Sequence, residues 1–110
     1  MKFFSKNNKT SQNNELSEEN YNFMVTGRAH GLMALWAAER MGKTSEGAAN
    51  YADELVDENI DDQAFLKKLA EDLEFHEQHV EDSELTERLE GFKVVAKLEY
   101  EDEAKMGGCS

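Results

Sequence analysis

The chain has 110 residues, with 12 basic and 24 acidic side chains for a net charge of -12, no proline and a single cysteine. That length allows one domain with one core. A third of the residues are charged and 39% are hydrophobic, a balance that suits amphipathic helices better than a sheet, whose turns usually recruit proline. The fold class is therefore all-α. Cys109, in a terminal Gly-Gly-Cys-Ser run, has no partner for a disulfide, which points to a reducing compartment. Phe3 and Phe4 are followed by Ser5, Lys6, Asn7 and Asn8, which is no apolar core for export. No window approaches the roughly twenty apolar residues that span a bilayer. These features predict a soluble, cytoplasmic protein without membrane insertion, and nothing in the composition suggests more than a monomer when free.

Charge is unevenly placed. Residues 1 to 14 hold Lys2, Lys6 and Lys9 and no acid, whereas the other nine basic and twenty-four acidic residues leave the rest of the chain at -15. An acidic body repels phosphate backbones, which argues against nucleic acid as a partner, because that affinity rests on Lys and Arg displacing counterions. A partner should be basic or mixed.

Along the chain, Ser5 to Asn14 contain no apolar side chain and favour local turns, so residues 1 to 16 are expected to form a flexible basic and polar arm. A long first helix is expected from near Glu15 to Met41, with Ser17 as its cap and Glu18 and Glu19 at the end where the helix dipole favours anions. Tyr21, Val25, Ala29, Leu32 and Trp36 recur at three and four residues and predict its buried stripe, with Phe23 opposite that stripe. Leu32 to Ala38 are seven consecutive apolar residues, a run that surrounds a helix on every side and puts it at the centre of the bundle. Gly42 stops it.

Thr44 or Ser45 should cap a short second helix ending near Asn59, with Ala48, Tyr51, Ala52 and Leu55 inward. Asp61 or Asp62 should cap a third, with Phe65, Leu66, Leu69, Leu73 and His76 as its stripe. A loop near Val80 leads to a fourth helix starting at Asp82 or Ser83, whose stripe is Leu85, Leu89, Phe92, Val95 and Ala96 and which runs out over Glu99 to Glu103. Four helices with short links predict a four-helix bundle over residues 17 to 105, followed by a disordered tail at 106 to 110.

Three stretches imitate chemical motifs. Ala37-x-x-x-x-Gly42-Lys43-Thr44 fits the loosest phosphate-loop pattern, but such a loop needs a preceding strand, and Ala37 to Met41 are helix formers. Asp57-x-Asn59-x-Asp61 opens like a calcium loop, yet the sixth position is Asp62 rather than glycine and the twelfth is Lys68 rather than glutamate. His76 and His79 lie one turn apart without further ligands; His76 is expected at the core edge and His79 at the helix end. Trp36, Tyr51, Phe65 and Phe92 read as core. No nucleophile sits beside a base, so the chain is read as no enzyme, with no cofactor and no metal.

The block Leu35-Trp36-Ala37-Ala38-Glu39, with Phe23, Arg28 and Leu32 before it and Gly42 after it, resembles the zeta subunit family, small helical inhibitors of alphaproteobacterial F-type ATP synthase. The similarity continues through Ala48, Tyr51, Ala52, Val56, Phe65, Val80, Asp82, Leu85 and Leu89, over roughly residues 17 to 100. It implies a four-helix fold and a regulatory protein that binds the catalytic head of the synthase, with its alpha, beta and gamma subunits. Inhibition in the family is attributed to the amino-terminal segment, which enters a catalytic interface as a helix. Carried onto this chain, the partner-binding residues are Phe3, Phe4, Lys6, Lys9, Leu16, Tyr21, Phe23 and Arg28. Family segments begin with a phenylalanine, acids and an arginine; here Phe4 is followed by Ser5-Lys6-Asn7-Asn8-Lys9-Thr10-Ser11. A second reading therefore stays open, a zeta-like fold that binds without inhibiting.

Overall fold

A computed structural model describes the backbone of residues 10–109 and the side chains of residues 19–101. Four helices follow one another: α1 (Thr10–Arg40), α2 (Ser45–Glu58), α3 (Asp62–Phe75) and α4 (Asp82–Cys109), and no strand occurs among the described residues. The all-α, four-helix expectation with a long first helix is what the chain adopts. α1 packs against each of the other three, and α3 also meets α4.

The ends are set by local chemistry. The Gly42 N–H bonds the Glu39 carbonyl, the Lys43 N–H bonds the Ala38 carbonyl, and Gly42 sits at φ 82°. This paired closure uses the left-handed conformation that glycine reaches without a Cβ penalty. Thr44 caps α2 by accepting from the Gly47 N–H at 3.0 Å, and Asp61 caps α3 by accepting from the Ala64 N–H at 2.8 Å. Of the two candidates offered for each start, Thr44 and Asp61 are the caps. Asn59, at φ 55°, closes α2. α3 closes as α1 does, with the Gln78 N–H on the Leu73 carbonyl and the Glu77 N–H on the Glu74 carbonyl, but the left-handed position is held by Glu77 at φ 60°.

Two helix ends differ from expectation. Ser17 lies inside α1, which already includes Thr10, the first residue described, because extending an existing helix costs far less than nucleating one, even through indifferent Ser and Asn residues. α4 continues to Cys109 instead of ending near Glu103. No proline blocks it, and each of Gly107 and Gly108 costs only about 1 kcal/mol relative to alanine.

The core is built from Ala29, Met33, Ala34 and Ala37 of α1, Ala52 and Leu55 of α2, Phe65, Leu69 and Leu73 of α3, Val80 of the loop, and Leu85 and Leu89 of α4. The inward stripe of α1 is Val25, Ala29, Met33 and Ala37, with His30, Ala34 and Ala38 beside it. Tyr21, Leu32 and Trp36, expected at the centre of the stripe, lie half-buried at its edge. Nor is the run from Leu32 to Ala38 enclosed all round, since Leu35 is exposed; three neighbours cover most of a helix and leave a strip open. Trp36 packs against the core and has the Arg40 and Arg88 guanidiniums 5.5 and 4.5 Å from its ring. Phe65 is wholly buried, while Tyr51 and Phe92 pack at the core margin. His76 is not a stripe residue: it caps the C-terminus of α3 and is exposed, and Val95 of α4 also faces outward.

Length mismatch shapes the molecule. Helices of 31 and 28 residues run about 46 and 42 Å at 1.5 Å per residue, against about 21 Å for the two helices of 14 residues. α1 and α4 are antiparallel and outreach α2 and α3, so the amino-terminal part of α1 pairs with the carboxy-terminal part of α4 alone.

Glu77→Gly should stabilise the chain by about 1 kcal/mol, because it relieves a left-handed residue that carries a Cβ. Urea denaturation of the two proteins checks this, with a higher midpoint at unchanged slope expected.

Candidate partner-binding surface

Phe3, Phe4, Lys6 and Lys9 lie outside the described residues, and of Leu16 only the helical backbone is described. The structure places Tyr21, Phe23 and Arg28 on the stretch of α1 that pairs with α4. Tyr21 meets Tyr100 edge-on, with ring centroids 6.2 Å apart. Arg28 reaches Glu99 with two nitrogens, Nε to Oε1 at 2.9 Å and Nη2 to Oε2 at 3.5 Å. The Arg28 bond holds the Glu99 carboxyl below its usual range. Two of the sequence-derived residues thus clamp α1 to α4.

Phe23 behaves differently. It is 62% exposed, and it points away from α4: Tyr21 and Val25, two residues to either side and so on the far side of the helix, meet Tyr100 or are buried. Gly27, His30 and Ala34 follow it at four, seven and eleven residues, on one helical line, and His30 and Ala34 are buried. Phe23 is exposed because α2 and α3 end before reaching it. Met24 beside it is also exposed, so the stalk carries two apolar side chains in water.

What fixes this stalk to the bundle is a residue that periodicity did not single out. His30 is 3% exposed and stacks on Phe65, with centroids 4.0 Å apart and planes within 3°. Its Nε2 donates to Asp62 Oδ1 at 2.9 Å. The other oxygen, Oδ2, accepts from the Lys93 ammonium. One carboxylate therefore ties α1 to α4 from the first turn of α3, where the helix dipole also favours it. Burial pushes the Asp62 carboxyl up, but the bonds from Lys93 and His30 outweigh it and hold the group below its ordinary value.

The motif-like stretches have structural work. Lys43 and Thr44 belong to the α1 stop and the α2 cap, and Asn59 and Asp61 are caps. His79 sits in the loop after α3, its Nδ1 2.6 Å from Glu74 and its Nε2 2.9 Å from Glu81; bonds to Glu81 and Glu74 raise its pKa. The Tyr51 hydroxyl donates to Asp72 at 2.6 Å, and burial together with that carboxylate pushes its pKa up. Among the described residues, no group of three or more His, Cys, Asp or Glu could hold a metal ion, and no helix is long and apolar enough to cross a membrane.

The surface therefore offers apolar side chains beside fixed charges on a rigid helix pair, the equipment of a helical protein that binds a partner. A model of the family described as ATPase inhibitor subunit zeta matches residues 1–99, and the chain belongs to that family. The match reaches residue 1, sixteen residues beyond the segment over which the resemblance is legible by eye. It marks the chain as a regulatory inhibitor subunit of an ATPase rather than a catalyst. No curated protein and no solved structure matches the chain.

Asp62→Ala should lower the unfolding free energy by about 1 to 3 kcal/mol at neutral pH, because it leaves the buried His30 N–H without an acceptor. Since the folded pKa of Asp62 is depressed, its contribution is present above the unfolded carboxylate value, about 4, and is lost as pH falls through the lower folded value. Urea melts of wild type and variant at several pH values should therefore converge only in that acid range.

Proposed function

We propose that the chain inhibits ATP hydrolysis by an F-type ATP synthase, binding the catalytic head formed by its alpha, beta and gamma subunits and inserting its amino-terminal segment as a helical wedge. The wedge needs no chemistry of its own. Phe3, Phe4, Leu16 and Phe23 supply apolar contact at intervals along the segment. Lys6 and Lys9 fix its direction by charge. Tyr21 and Arg28 hold the base of the segment against α4. Coupled folding and binding of this kind relies on apolar anchors at helical spacing to offset the ordering cost. The chain would act as a soluble cytoplasmic protein, associated with the membrane-bound synthase and monomeric when free.

The observation that carries this reading is the unbroken run of α1 from the core to Thr10, so that much of the amino-terminal segment is already helical. The family match over that segment supports it. The second reading, binding without inhibition, is favoured by the ten residues from Ser5 to Asn14, which have no apolar side chain. Ordering each residue ahead of α1 costs about 1 to 2 kcal/mol, and polar residues there and within the first turns of α1 return little of it.

ATP hydrolysis by an isolated synthase head, titrated with the full chain and with the Phe3→Ser/Phe4→Ser/Phe23→Ser variant, separates the two readings. The inhibitor reading expects saturable inhibition by wild type and a loss of affinity of at least about tenfold in the variant, the scale of removing apolar anchors. Binding of wild type to the head without any fall in hydrolysis would favour the second.

A further inference from the structure

Between α1 and α2, with Tyr100 of α4 also lining it, lies a groove of about 340 Å³. Small residues line much of it, Gly27 and Gly31 from α1 and Ala49 and Ala52 from α2. A Cβ built on Gly31 would stand 3.5 Å from Val56 Cγ2, and one built on Gly27 would meet nothing within 4 Å, so the Val56 side chain lies against the glycine face of α1 and the space beside Gly27 stays open. Leu35 and Val56 also line the groove and remain 38% and 37% exposed. Met24, on one helical line with Arg28, Gly31 and Leu35, adds an exposed apolar side chain beyond one end. From Met24 to Leu35 the line runs about 16 Å, three turns of helix.

The charge along this groove has one sign on the α2 side. Asp53 and Asp57, one turn apart, line it, and α2 as a whole carries Glu46, Asp53, Glu54, Asp57 and Glu58 with no basic residue. The cation that lines the groove, Arg28, is bonded to Glu99. A partner of matching length and complementary charge is a basic amphipathic helix, with apolar side chains at three- and four-residue spacing and Lys or Arg towards α2. A second copy of this chain is a poor occupant, since each copy brings a net charge of -12.

We propose that the α1–α2 groove is a docking surface, separate from the amino-terminal wedge, that takes a basic amphipathic helix of the synthase head. Apolar side chains of that helix rest against Gly31, Leu35 and Val56, and its cations meet Asp53 and Asp57. The identity of the assembly that supplies the helix rests on the inhibitor reading.

The test uses the full chain and the isolated head, with affinity read by biolayer interferometry and hydrolysis read in parallel. Asp53→Lys/Asp57→Lys alters the rim and Leu35→Glu/Val56→Glu the apolar lining, while Val94→Glu/Leu98→Glu, on the outer face of α4, is the control. Circular dichroism and melting confirm that each variant is folded. The rim and lining variants should each weaken binding at least about tenfold, the rim variant should also flatten the dependence on salt, and the control should stay within about twofold of wild type. At saturating concentration the rim variant should still inhibit, because the wedge is intact.

Wild-type binding that the rim and lining variants match within about twofold would overturn the groove while leaving the inhibitor reading standing. An equal loss in the α4 control would overturn it too, by placing contact elsewhere. Self-association of wild type that the lining variant abolishes would assign the groove to a second copy, against the proposal. Binding without inhibition, with the groove variants weakened, would remove the wedge and keep the groove. No binding of wild type at all would remove both.

Discussion

A histidine enclosed by apolar side chains must find a polar partner or lose its hydration without return. His30 finds Asp62 at 2.9 Å, and the same carboxylate takes the Lys93 ammonium, so a single acidic group at the start of α3 joins three helices inside a bundle held mainly by non-directional burial. Burial alone would tolerate α1 sliding along its neighbours, because Ala29, Ala34 and Ala37 are interchangeable to an apolar surface. A stacked ring on Phe65 and a bond of fixed length do not tolerate it. The register of α1 depends on this contact, and so does the position of everything α1 carries beyond the bundle.

What it carries is the stalk. The excess length of α1 and α4 over α2 and α3 leaves the two long helices as a pair, clamped by Arg28 on Glu99 and by Tyr21 against Tyr100. Exposed ion pairs of this kind add little to stability, but they set the azimuth of α1, and with it the side on which Phe23 and Met24 emerge. Positional control of exposed apolar side chains, rather than reactive chemistry, is what an inhibitor that acts by obstruction needs. The acidic α2 lines a groove that begins at the same clamp, where Arg28 and Tyr100 border it. An obstructing segment and a separate docking surface would divide the work between blocking and holding.

Much of the fold was legible because its signals are local. Gly42, Thr44 and Asp61 act on atoms within a few residues of themselves, and the spacing of Phe65, Leu69 and Leu73 states which side of α3 is buried. Helix that runs on by propagation, through Ser17 in α1 and past Glu103 in α4, carries no such mark. The stripe of α1 was misplaced by a fraction of a turn because its apolar run is too dense to show a phase, and His76 was counted inward because the α3 closure at Glu77 cannot be seen in composition. His30 carries no signal of its role in the sequence. Its partner lies 32 residues away, and Glu99 lies 71 residues from Arg28; no window along the chain brings such pairs together. The exposure of Phe23 is legible in part, from its place opposite Tyr21 and Val25; that its line stays open there, although His30 and Ala34 on the same line are buried, follows from how far α2 and α3 reach.

The central claim is that the amino-terminal segment, directed by α1, enters the catalytic head. Replacing Phe4 by a photo-reactive phenylalanine analogue, illuminating the chain with an isolated head that is turning over ATP, and sequencing the crosslinked peptides tests it most directly. The account predicts adducts with residues at a catalytic interface, and none from the same probe at Leu98. Adducts from Leu98 with none from position 4 would contradict it.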